Sequence, residues 1–355
     1  MLTKVRIFIE RYYTLFSSLA GFVKKIIRSG FAGFRIKDIC LISRGFYFKR
    51  PIPYNFKEYS YSDYISDFEQ NLIGFINHPY NKILNDKVLF SIFFKSYFKT
   101  PVSYCLLTKG SVSNVNPSIK ITSMKDIHTL LNDKQKLILK PNDGRGGDGI
   151  YLISVENKNI YVNGRINSEI EFEKFLTNLN GSILTDFVEQ GNFTREIFAN
   201  STNTLRIITM IDPLNCSAFI PIAILRIGTS VSQPIDNFPK GGIFAYIDVN
   251  SGKLSKAISS RDGKIVFLAN HPETGVQIEG KFIPGWNKIV ENLLNTSNLV
   301  SPFLKIVGWD IVITENGDFI VIEGNSGPDM TIQGLNYPLA KDTRVLNFLK
   351  QNKVR

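Results

Sequence analysis

The segment that most restricts the fold is 307–325, where two apolar runs flank Asn316-Gly317. Asn-Gly between such runs specifies a tight β-hairpin, because both residues tolerate the positive φ that the turn demands. A two-residue turn at 316–317 sets Glu315 opposite Asp318 and, stepping outward, Asp310 opposite Glu323. Opposed residues project from one face, and Asn325 joins them because strand side chains alternate with a period of two. Facing carboxylates repel, and a divalent cation between them removes the conflict. Oxygen donors with no His or Cys select Mg2+ or Mn2+ over zinc. The plainer alternative is two carboxylates on a wet sheet face, but Gly308, Trp309 and the turn at 324–327 are out of place on such a rim.

A second feature is the run 142–149, Asn-Asp-Gly-Arg-Gly-Gly-Asp-Gly. Glycines let successive backbone N–H groups wrap a phosphate. P-loops and dinucleotide fingerprints lead from a strand into a helix and, in the former, end in Gly-Lys-Ser/Thr. This loop lies between the expected strands 137–140 and 150–155, so a flexible lid over phosphates fits it better. Lys140 ends the strand before the loop, where a cation would meet an α-phosphate.

Around these features the chain mixes helices and strands. Helices are expected over 63–76, 87–98 (capped by Asn85-Asp86), 169–178, 286–294 and 337–350. Further strands are expected over 182–188, 204–211, 218–227 and 242–248. Hairpin-like neighbours predict an α+β architecture with largely antiparallel sheets.

Charge separates the N-terminus from the rest. Residues 1–50 hold 11 Lys/Arg against Glu10 and Asp38, so about nine of the +11 net charges sit there. A nearly neutral body argues against nucleic-acid binding by the body. Apolar residues at 8, 12, 15, 16, 19, 22, 23 and 26 have helical spacing. The uncharged stretch from Tyr12 to Val23 is too short to span a bilayer. The helix either packs on the body or lies on an anionic membrane surface, giving peripheral contact through residues 1–50. Cys40, Cys105 and Cys216 are widely spaced, which favours a reducing, cytoplasmic setting over a disulfide framework. The expected divisions are 1–59 (basic helical extension), 60–135, 136–200 (lid with the glycine loop) and 201–355 (metal-site region).

Taken in order, the stretches at 85–90, 139–149, 203–209, 236–242, 271–275, 283–286 and 308–325 resemble the ATP-grasp superfamily, and within it the sugar-transfer-associated branch of polysaccharide biosynthesis. The resemblance covers roughly 60–335. It implies an ATP-grasp fold with ATP held between two α+β lobes. Lys87 and Lys140 would contact ATP phosphates, and Gly144, Arg145, Gly146, Gly147 and Gly149 would close over them. Asp186, Phe187 and Val188 would form the hinge that meets adenine, and Glu189 or Gln190 would reach the ribose. Asp310, Glu323 and Asn325 would hold Mg2+ or Mn2+, and Arg206 and Arg226 would stabilise an acyl phosphate. His271 would either touch substrate or cap the Pro272 turn. The implied activity is carboxylate–amine ligation of small-molecule, sugar-linked acids and amines in the cytoplasm or on the inner membrane face. Phosphotransfer to a hydroxyl is the alternative.

Overall fold

The computed structural model describes residues 2–30, 33–50, 52–144, 148–261 and 264–355, with the backbone alone at 2–11, 261 and 316. Arg145, Gly146 and Gly147 of the glycine loop therefore lie outside the described residues. Strands are β1 (Ser103–Thr108), β2 (Ser111–Asn114), β3 (Lys136–Pro141), β4 (Tyr151–Glu156), β5 (Asn159–Val162), β6 (Arg165–Asn167), β7 (Asn180–Asp186), β8 (Thr204–Ile211), β9 (Ala218–Ile227), β10 (Ile243–Ile247), β11 (Leu254–Arg261), β12 (Lys264–Leu268), β13 (Ile306–Ile313) and β14 (Phe319–Asn325). Helices are α1 (Leu2–Arg28), α2 (Ile36–Ser43), α3 (Asp67–Ile73), α4 (Lys82–Asn85), α5 (Lys87–Phe94), α6 (Met124–Lys134), α7 (Glu169–Asn178), α8 (Asn192–Ile197), α9 (Trp286–Val300) and α10 (Thr343–Gln351).

Two seven-stranded sheets organise these elements, in the orders β2-β1-β7-β3-β4-β5-β6 and β12-β11-β10-β9-β8-β13-β14. Neighbouring strands in both are antiparallel. The first sheet takes β1 and β2 from 103–114, upstream of the division drawn at 136. Sequence reading gave that stretch no strands. Helices α6 and α7 cover this sheet, burying Ile127, Leu131, Phe172 and Leu176 against Leu137, Leu139 and Ile153. The second sheet is apolar on both faces. Trp309, Ile311 and Ile313 meet α5 and α9 on one side, while Ile208, Met210 and Ile306 meet α10 on the other. Two covered faces explain why β13 is buried along its whole length.

The 307–325 hairpin differs from expectation at its tip. Glu315–Gly317 forms a three-residue turn, in which Thr314 N–H donates to Asp318 O at 2.8 Å. That places Ile313 opposite Phe319 and Ile311 opposite Val321, one residue off the two-residue register. A bulge at Ile322 then restores it, so Asp310 does pair with Glu323 and Gly308 with Asn325. The helix expected over 337–350 is shortened to α10 preceded by a 3-10 turn at Leu339–Lys341, and α9 runs on to Val300.

The N-terminal extension is fastened to the body by a buried ion pair. Arg50 Nη1 lies 2.5 Å from Asp67 Oδ1, with both side chains about 5% exposed, and the guanidinium stacks over the Tyr54 ring. Asp67 also accepts from the backbone N–H of Tyr47 at 2.8 Å. Replacing Asp67 with Ala leaves a buried guanidinium without its counter-charge, a change that costs roughly 3 kcal/mol. Urea unfolding should report that loss.

Candidate active site

A cavity of about 420 Å³ opens between the two sheets. Its lining mixes apolar and charged side chains. Pro101, Ile138, Leu152, Phe187 and Val188 are apolar, whereas Lys140, Arg206, Arg226, Asp310, Glu323 and Asn325 are charged or amide. Sheet register brings the polar group together. Asp310 on β13 faces Glu323 on β14 and, on its other side, Arg206 on β8, while Thr204 on β8 faces Arg226 on β9.

Asp310 is 2% exposed and lies among guanidinium groups. Arg206 grips both of its oxygens, Nε donating to Oδ1 and Nη2 to Oδ2 at 2.8 Å, and Arg226 Nη2 lies 3.3 Å from Oδ2. Burial alone would push this carboxyl's pKa up. The two guanidinium groups outweigh burial and hold it well below the usual carboxylate range. Burial similarly works against the charged form of Arg206, and Asp310 more than restores it. Arg226 is steadied from behind. Its Nε and Nη2 donate to Thr204 Oγ1 at 2.9 and 2.6 Å, and Thr204 in turn donates to buried Asp236.

Glu323 is half-buried, with Lys87 Nζ 3.7 Å from its Oε2 and Asn325 Nδ2 at 3.5 Å from its Oε1. Lys87 reaches it because α4 and α5 pack against β14 over Gly324. A Cβ at Gly324 would stand 2.7 Å from Leu84 and 3.0 Å from Phe90. Lys87 also donates to Gly144 O at 3.0 Å. The root of the glycine loop is tied to the same helix start. Asn142 O accepts from Lys87 N–H, its Oδ1 accepts from Val88 N–H, and its Nδ2 donates to the capping carboxylate of Asp86. Gly144 and Gly149 fold against the Pro141 ring, and Gly149 has a positive φ of 72°. Lys140 is buried beside this cluster. Burial, reinforced by the positive charge of Lys87, lowers its pKa to about 8 despite the pull of Glu323 and Asp310.

The hinge candidates Asp186, Phe187 and Val188 line the cavity, and Asp186 Oδ1 accepts from the Tyr104 hydroxyl at 2.5 Å. Glu189 turns outward to Lys136 at 3.1 Å and is not among the lining residues. Gln190 is buried and its amide is occupied, donating to Phe198 O and Ser201 O and accepting from Asn203. His271 is buried too, stacked on Phe198 with Nε2 2.9 Å from Gly228 O, so it supports the 271–275 turn away from the cavity. Sequence reading missed Thr204, Asp236, Asn142 and Ile138. The available signals were strand parity, which puts Thr204 beside Arg206 and Ile138 beside Lys140.

The donor set fits a hard divalent cation in its chemistry, with two carboxylates and an amide oxygen on paired strands. Among the described residues no group of three or more His, Cys, Asp or Glu side chains is poised for a metal. The oxygens of Asp310 that a cation would use are those that Arg206 now holds. Asp310→Ala should cost roughly 3 kcal/mol by leaving the buried Arg206 guanidinium without its ion-pair partner. A double-mutant cycle with Arg206→Met, followed by urea unfolding, should return a coupling of about 2 kcal/mol or more.

The sequence profile of sugar-transfer associated ATP-grasp proteins matches residues 67–348. A search of curated proteins found no match. Similar solved structures include D-alanyl-alanine synthetase A from Vibrio cholerae O1 biovar eltor str. N16961, at 11% identity and a TM-score of 0.44, covering 77% of this chain and 66% of that one. D-alanine–D-alanine ligase from Bacillus anthracis complexed with ATP is 13% identical with a TM-score of 0.39, covering 76% and 68%. An ADP complex of N5-carboxyaminoimidazole ribonucleotide synthetase is 9% identical with a TM-score of 0.39, covering 69% and 45%. The chain thus spans between about half and two thirds of the lengths of these proteins. With the profile match extending over well more than half of its length, the chain belongs to the sugar-transfer associated ATP-grasp family.

Proposed function

We propose that this chain is an ATP-dependent carboxylate–amine ligase that joins a sugar-linked acid and an amine in surface polysaccharide biosynthesis. The observation that carries this reading is the cavity's lining, in which Ile138 and Leu152 of the first sheet, with Phe187 and Val188, accompany the two arginines and paired carboxylates of the second. The apolar group suits a nucleobase, with the backbone of 186–188 as its partner. Of the two residues considered for the ribose, Glu189 keeps an accessible carboxylate, whereas the amide of Gln190 is used internally. The triphosphate would extend toward Lys87 and Lys140 beneath the glycine loop, and Asp310, Glu323 and Asn325 would hold Mg2+ or Mn2+. Such a cation, when bound, neutralises phosphate charge and polarises the transferring group.

In the reaction proposed, a substrate carboxylate oxygen bonds to the γ-phosphorus as its bond to the bridging oxygen breaks, and ADP leaves. The amine then attacks the acyl carbon, inorganic phosphate departs and the nitrogen loses a proton. Arg206 and Arg226 face the negative charge that builds on the transferring oxygens; Thr204 keeps Arg226 oriented as it does, while Arg206 is released from the Asp310 oxygens to phosphate. The lid formed by the glycine loop keeps water from the acyl phosphate. Family membership and free, unpaired cysteines at 40, 105 and 216 support placing the reaction in the cytoplasm.

A screen of uronic acids against amino acids and small amines, read by ADP release and product mass, tests this reading. An amide product without retained phosphate is expected. A phosphorylated acceptor would make the protein a kinase instead. Asp310→Asn and Glu323→Gln should each abolish metal-dependent ADP release. ATP affinity should also follow the charge of Lys140. The ammonium form prevails below about 8, so binding measured by calorimetry should weaken as pH rises through that value. The decline should reach at most about tenfold per pH unit, and Lys140→Arg, which keeps its charge, should flatten it.

A further inference from the structure

Helix α1 carries two apolar stripes. Ser18, Phe22 and Ile26, spaced by four, are buried against the body. There Phe22 stacks on Tyr47 at 5.0 Å and meets Phe68 at 5.9 Å, and Asn71 Nδ2 donates to Ser18 O. This stripe answers why the helix docks. The second stripe, Tyr13, Phe16, Ala20, Val23 and Ile27, alternates spacings of three and four, which is the rule for a continuous helical face. It points to solvent, with Phe16 73% and Ile27 60% exposed. Lys24 and Arg28 are exposed next to it, one position on from Val23 and Ile27. The following helix α2 adds Ile36, 85% exposed, beside Lys37.

We propose that this second stripe is a docking face for an anionic lipid surface, on which α1 lies parallel to the membrane plane while its first stripe holds the enzyme body. Charge selects this occupant. Residues 1–50 hold most of the net positive charge, and of these cations Lys24 and Arg28 stand exposed beside the stripe. A second copy of the chain meeting the same face would bring Lys24 and Arg28 of each copy together, whereas acidic headgroups neutralise them. No described helix is long and apolar enough to cross a bilayer. An interfacial helix needs only one apolar face and flanking cations, and α1 presents both while remaining folded onto the protein. This inference stands independently of the ligase reading.

The test is co-sedimentation of the full chain with vesicles of phosphatidylcholine alone and with an equal mixture of phosphatidylcholine and phosphatidylglycerol. Binding to the mixed vesicles is expected, with loss at high salt. Phe16→Ser/Ile27→Ser should weaken it about tenfold or more, and Lys24→Glu/Arg28→Glu should do likewise. All four positions are exposed, so thermal unfolding should remain unchanged and separate lost docking from lost folding. Equal binding to neutral vesicles, or binding that the double variants leave intact, would overturn the proposal. So would a concentration-dependent dimer that Phe16→Ser/Ile27→Ser dissolves in sedimentation velocity, which would assign the face to a second copy.

Discussion

The structure is built around a carboxylate that cannot be in water. Asp310 sits on a strand of the second sheet that is buried along its whole length, and its ionised form is tolerated there because two guanidinium groups surround it. Removing a carboxylate from solvent costs several kcal/mol unless its lone pairs are fully engaged. Strand β8 beside it supplies Arg206, and β9, one strand further along the sheet, supplies Arg226. A charge kept ionised at such cost is concentrated and oriented, which is what a site for phosphate and metal chemistry requires. Thr204 and Asp236 extend the same logic one layer outward by fixing the direction in which Arg226 points.

The rest of the cleft is arranged about this group. Gly324 lets α5 approach β14, and that approach brings Lys87 to Glu323 and Gly144. Asn142 ties the start of the glycine loop to the cap of the same helix. Across the cleft, Lys240 pairs with Asp148 at 2.6 Å, joining the loop's far end to the opposite sheet. Both partners are substantially exposed, so the contact contributes little and can break readily.

Much of this was legible in the sequence because it rests on local rules. Strands 204–211 and 218–227 and the helix 169–178 have the expected limits, since each carries a clear apolar period and recognisable ends. The pairing of Asp310 with Glu323 was also foreseen, but through compensation. The turn is one residue longer than Asn-Gly implied, and the bulge at Ile322 cancels the shift. Nothing distinguishes Ile322 from an ordinary strand isoleucine, so the bulge leaves no sequence signature. The arginine clamp was hidden for a different reason. Arg206 and Asp310 are 104 positions apart, and only the order of strands in the sheet brings them together. Strands β1 and β2 were missed because neither alternates: β1 is buried along most of its length and β2 is largely exposed.

The same division between local and long-range information applies to function. Cationic and acidic side chains in the cavity follow from strand parity and register, and they speak to the nucleotide side of the reaction. Thr204, Asp236, Asn237 and Asp329 also line the cavity. The central claim is that the clamped carboxylate serves the metal and phosphate once nucleotide arrives. A crystal structure of the chain with Mg2+ and a non-hydrolysable ATP analogue tests it most directly. The account predicts a cation held by oxygens of Asp310, Glu323 and Asn325, with Arg206 drawn from the carboxylate toward phosphate. A triphosphate bound away from β13 and β14, or a cation held without Asp310 and Glu323, would contradict it.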